Sequence, residues 1–142
     1  MASNKYQELF KARLEEEGFA YCELEDLAVC IGCKGEALPT ISLCFCFHPA
    51  KEGALVEIRS WNIAHVPKEK RIAALRLCNE MNRKYRLYSF YVSEEDEIIV
   101  ELDHFISEEA CGEFCISMMK ETQYLVDQVY PYFAKALLGK RR

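Results

Sequence analysis

Eight cysteines in 142 residues, at positions 22, 30, 33, 44, 46, 78, 111 and 115, are the side chains whose type and spacing could do chemistry here. In Cys30-Ile-Gly-Cys33-Lys-Gly35, the glycine after a Cys-x-x-Cys permits a tight turn whose backbone amides could stabilise two zinc thiolates. Cys44-x-Cys46-x-His48 lies close enough downstream to supply the other half of a site. Cys30, Cys33, Cys44 and Cys46 are therefore the candidate metal or redox thiols. Two facts weigh against a metal. Ligands two apart on a strand are separated by about 6.5 Å of backbone, and residues three apart on a regular strand point to opposite faces. The competing reading is a set of small residues filling a sheet. No metal and no cofactor are expected, and a redox Cys-x-x-Cys lacks the strand-to-helix junction that usually follows it.

Other chemistry is thin. The six glycines do not reach the spacing that cradles a phosphate, and neither Gly-x-Ser-x-Gly nor His-Glu-x-x-His occurs. His48, His65 and His104 fall in different segments. Cys111 and Cys115 share the apolar stripe of a helix, and Glu108 and Glu109 are expected to raise the Cys111 thiol rather than activate it. No catalytic residue is assigned, and the protein is not expected to be an enzyme.

The elements that must position these residues follow from periodicity. Tyr6, Leu9, Phe10 and Leu14 predict a helix over 4–17, with Ser3 or Asn4 as its cap and Gly18 as its stop. A first strand is predicted to begin with Phe19, Tyr21 and Cys22, and further strands at 27–33, 39–48 and 54–61. The third alternates cleanly, with Ile41, Leu43, Phe45 and Phe47 on one side and Thr40, Ser42, Cys44, Cys46 and His48 on the other. Pro67 suits the first turn of a helix reaching Lys84, with Ile72, Leu75, Cys78 and Met81 inward. Asn79 and Asn82, one turn apart, either bond to neighbouring backbone or face solvent. Leu87–Val92 and Glu97–Phe105 form a hairpin around the turn Ser93–Asp96. Ser107 caps a last helix that Pro131 should kink or restart. Helices and hairpins without repeated βαβ units indicate an α+β fold: an antiparallel sheet with helices packed on one face, in the order α-β-β-β(-β)-α-β-β-α, as one domain over residues 1–142.

The net charge of -5 argues against a nucleic-acid partner, which would need a basic footprint. The charge is also segregated. Residues Glu94 to Glu113 hold nine acids and no Lys or Arg, whereas Pro67 to Arg86 hold seven bases and two acids. Such runs serve solubility or form complementary surfaces for a protein partner. No run approaches the ~20 apolar residues of a membrane-spanning helix, so no membrane association is expected. The opening Met-Ala-Ser-Asn-Lys-Tyr-Gln-Glu lacks the apolar core of a signal peptide. Reduced thiols and a cytoplasmic location are therefore expected.

The stretch Val66-Pro-Lys-Glu-Lys-Arg-Ile-Ala-Ala-Leu-Arg-Leu-Cys-Asn-Glu-Met-Asn82 resembles the proline-capped helix with paired asparagines of YbjN-domain proteins, described as bacterial sensory transduction regulators. Leu87 to Asp103 looks like their acidic hairpin, and Ser107 onward, with its Tyr130-Pro131 step, is similar to their closing helix. The resemblance covers about Tyr6 to Leu138, and the element order also resembles the type III secretion chaperone fold. It implies a non-enzymatic module, regulatory or chaperone-like, that holds a polypeptide partner as a homodimer. The residues expected to touch that partner are Thr40, Ser42, Cys44, Cys46, Arg71 and Arg76. A thiol-based metal or redox sensor on the strand cysteines is the alternative.

Overall fold

The computed structural model describes residues 5–24 and 28–138. Three helices lie on one face of a six-stranded antiparallel sheet. The helices are α1 (Lys5–Glu16), α2 (Arg71–Lys84) and α3 (Cys111–Leu138). The strands are β1 (Cys22–Leu24), β2 (Ala28–Cys33), β3 (Ile41–Pro49), β4 (Ala54–Trp61), β5 (Ser89–Val92) and β6 (Ile98–Ile106), arranged β1-β2-β3-β4-β6-β5. The first four strands form a meander. The chain then crosses through α2 to the far edge, and the β5–β6 hairpin places β6 back beside β4.

Strand alternation builds the core. Ile41, Leu43, Phe45 and Phe47 of β3 and Ala54, Val56 and Ile58 of β4 are all buried toward the helices. Phe10 of α1 packs on Phe45 with ring centroids 4.5 Å apart, and Phe133 of α3 stacks on Phe90 at 6.3 Å. Gly18, at φ +80°, ends α1 as expected, because only glycine enters that region at no steric cost. The expected caps Ser3 and Asn4, Leu27, and the tail from Gly139 lie outside the described residues.

Three expectations are corrected. Pro67 precedes a short 3-10 turn, Lys68–Lys70, and α2 starts only at Arg71. Helix α2 buries Ala74, Cys78 and Met81, while Ile72 is 62% and Leu75 43% exposed. A period of 3.6 residues admits two adjacent apolar stripes, and the one with the small Ala74 packs inward. Helix α3 does not restart at Pro131. Val126, Val129, Phe133 and Leu137 are buried on both sides of it, so packing carries the helix past the missing amide.

Candidate functional site: the open face of the sheet

The face of the sheet away from the helices has no element over it among the described residues. Pairing registers set its side chains in rows. One row crosses all six strands: Cys22, Cys30, Cys44, Arg59, Glu101 and Ser89. The next runs Leu24, Ala28, Cys46, Glu57 and Asp103. Beyond it stand His48, Leu55 and Phe105; on the other side, Ser42 faces Trp61 and Tyr91 faces Ile99. The face thus divides into a thiol half on β1–β3 and a charged half on β4 and β6. A shallow groove of about 350 Å³ lies where they meet, lined by Leu24, Cys44, Arg59, Trp61, Tyr91 and Ile99 among others.

In the thiol half, the Cys30 and Cys44 sulfurs are 3.5 Å apart. Burial pushes the Cys30 thiol up. Hydrogen bonding to Cys46, then burial, pushes Cys44 up as well. The same contact with Cys44 pulls Cys46 down to about 7 against the opposing effects of burial and Glu57, and His48 and Arg59 add to the lowering. Cys33 does not belong with them. It lies on the helix side of β2 against the core, so Cys30, Cys33, Cys44 and Cys46 do not converge on one point. Period two places residues three apart on opposite faces. The fourth thiol of this face is Cys22, opposite Cys30; nothing local in the sequence says which residue of β1 will stand there.

Nor do the amides after the Cys-x-x-Cys serve thiolates. The backbone N–H groups of Glu36, Ala37 and Leu38 all donate to the Asp127 carboxylate of α3, at 2.9 Å each. The Leu38 amide leads in holding that carboxyl below its ordinary range. A Cβ at Gly35 would collide with the same carboxylate and with the Leu38 carbonyl, which is why glycine stands there.

In the charged half, Arg59 Nε lies 3.5 Å from Glu101, and the Tyr91 hydroxyl donates to Glu101 at 2.7 Å. Burial, then Glu101, pushes the Tyr91 hydroxyl up to about 12. Carboxylate oxygens of Glu57, Glu101 and Asp103 lie within 4.8 Å of one another. Burial and these two neighbours raise Asp103. One arginine among three carboxylates leaves this half with an excess of negative charge.

Of the residues expected at a partner surface, Ser42, Cys44 and Cys46 lie half-buried on the open face, and exposed Thr40 stands just before β3. Arg71 and Arg76 belong to α2 and do not join them. Arg71 pairs with Asp96 of the β5–β6 turn at 2.9 Å, and Arg76 is exposed. The asparagines divide. Asn82 accepts from the Phe90 amide at 2.6 Å and donates to the Phe90 carbonyl at 3.1 Å, while Asn79 is exposed. Cys111 and Cys115 are buried, as expected of core residues. The Cys111 thiol is lowered, not raised, because Cys115 lies within hydrogen-bond reach.

A family model described as "Putative bacterial sensory transduction regulator" matches residues 8–135. The chain belongs to the YbjN family. The solved structure titled "Crystal structure of YbjN, a putative transcription regulator from E. coli" superposes with a TM-score of 0.59 at 9% identity, covering 88% of this chain and 91% of that one. At that identity the match speaks for the fold. No curated protein matches the chain. All six strands and their open face fall inside the YbjN span. No helix among the described residues is long and apolar enough to cross a membrane.

Proposed function

We propose that this YbjN-family protein is a non-catalytic, chaperone-like regulatory module that works in the cytoplasm as a homodimer and holds a polypeptide segment across the open face of its sheet. One observation carries the reading. Six strands have one face filled by three helices and nothing over the other among the described residues, yet that other face carries Phe105 at 69% and Leu24 at 52% exposure beside the half-buried Cys44, Cys46 and Trp61. Apolar side chains set in a polar frame mark interaction surfaces. The excess of carboxylates around Arg59 favours a segment bearing Lys or Arg. The edges agree with a face rather than an edge as the binding surface: Asn82 occupies both backbone groups of Phe90 on β5, and β1 is three residues long. A non-catalytic role is supported by the family description.

The test places a photo-crosslinking residue at Ser42 on the open face and, as control, at exposed Glu121 on α3. The expected result is a discrete polypeptide captured from Ser42 but not from Glu121, with capture lost on Asp103→Lys, alongside two chains per particle by light scattering. A monomer with equal or no capture at both positions overturns the reading.

A further inference from the structure

Four thiols on one face of a sheet make more chemistry than a binding surface needs, and the registers single out one pair. Cys30 and Cys44 stand directly opposite each other on neighbouring antiparallel strands, with sulfurs 3.5 Å apart. Opposed residues in such a pair have Cα atoms about 4.5–5.5 Å apart, inside the about 4.4–6.8 Å that a disulfide spans. Cys44 and Cys46 lie two apart on one strand, about 6.6 Å, with parallel Cβ atoms beyond the about 4.5 Å a bridge allows. Cys33 is on the other side of the sheet. Cys22 faces Cys30 from β1 and is the competitor.

We propose that Cys30 and Cys44 form a reversible cross-strand disulfide when the protein meets a hydroperoxide. With hydrogen peroxide, two S–H bonds and the O–O bond break, one S–S bond and two O–H bonds form, and two waters leave. The sulfurs lose two electrons and the peroxide oxygens gain them. Cys44 gives its proton to solvent and attacks one peroxide oxygen as the thiolate, becoming a sulfenic acid. The hydroxide released takes up a proton from solvent and leaves as the first water. The Cys30 sulfur then displaces the sulfenic hydroxyl, which leaves with the Cys30 proton as the second.

The surroundings fit these roles. Burial of Cys30, and for Cys44 the contact with Cys46 followed by burial, keeps both as thiols at rest, so the pair stays reduced until an oxidant reaches it. The two strands are already in register, so the bond tightens the open face without moving an element. The inference holds whether or not that face takes a partner.

The test is peroxide treatment of the reduced full chain, alkylation of the remaining thiols, proteolysis without reductant and mass spectrometry. The expected product is a monomer with one Cys30–Cys44 linked peptide, lower by two hydrogen masses, unchanged in yield by Cys22→Ser and reversed by dithiothreitol. A bridge mapping to Cys22–Cys30, a bridge only between chains, or peroxide consumed while Cys30 and Cys44 both stay alkylatable overturns the proposal. The decisive measurement is on the natural sequence, so it does not depend on whether a Cys30→Ser variant folds.

Discussion

Asp127 decides how the turn after the Cys-x-x-Cys is held, because one carboxylate takes three backbone amides from a segment about 90 residues away in sequence. Asp127→Ala is expected to lower stability by about 1–2 kcal/mol in chemical denaturation, the lower part of the range for charged hydrogen bonds because solvent screens the carboxylate. The pH dependence has a definite sign. The folded-state pKa is depressed, so this stability is present above the ordinary carboxylate value of about 3.9 and is lost as pH falls through the folded value. Wild type and variant should therefore converge in acid. At Cys46, Cys44→Ala removes the largest lowering influence and leaves burial and Glu57 opposed by His48 and Arg59. The half-point of its alkylation rate against pH should move up from about 7 toward the ordinary thiol value of about 8.5. At this scale the sequence showed which residues could react but not what they would meet. The Cys-x-x-Cys and its glycine are visible as a motif, whereas the carboxylate that claims the following amides comes from the last helix.

Periodicity made the elements legible with different success. Strand alternation on β3 placed Ser42, Cys44 and Cys46 together correctly, because a period of two allows one choice of faces. The opposition of Cys22, Cys30 and Cys44 was not legible, since register across strands is fixed by long-range pairing and not by any local pattern. Helix α2 misled because two stripes satisfy its period, and contact with β5 and α3 chose between them. Asn82 anchors that contact by pairing with both backbone groups of buried Phe90, closing a free strand edge with a side chain. Asn82→Ala should leave an amide and a carbonyl without protein partners and cost about 1–3 kcal/mol. Hydrogen exchange would locate the effect: the Phe90 amide should lose protection while the β3–β4 amides keep theirs. Equal loss everywhere would instead mark Asn82 as a contributor to global stability only.

For the whole molecule, the stripe that α2 leaves outside has a consequence for assembly. Ile72 and Leu75 are one turn apart, both exposed, and flanked by the basic residues Arg71 and Arg76. A two-fold axis beside this helix would bring both residues of each copy together, burying four apolar side chains in a self-complementary contact. At about 1.5–3 kcal/mol for a fully buried aliphatic side chain, even half of that burial would govern the affinity of the proposed dimer. Ile72→Asp with Leu75→Asp should accordingly weaken self-association by about a hundredfold or more, at about 1.4 kcal/mol per factor of ten. Both positions are on the surface, so the fold should survive and the thermal midpoint should move by little. Light scattering across a concentration series separates the outcomes. A dimer that becomes a monomer at unchanged midpoint places the interface on α2 and leaves the open face free for the partner. A dimer that persists moves the interface to the sheet, where it would compete with the proposed polypeptide segment for the same surface.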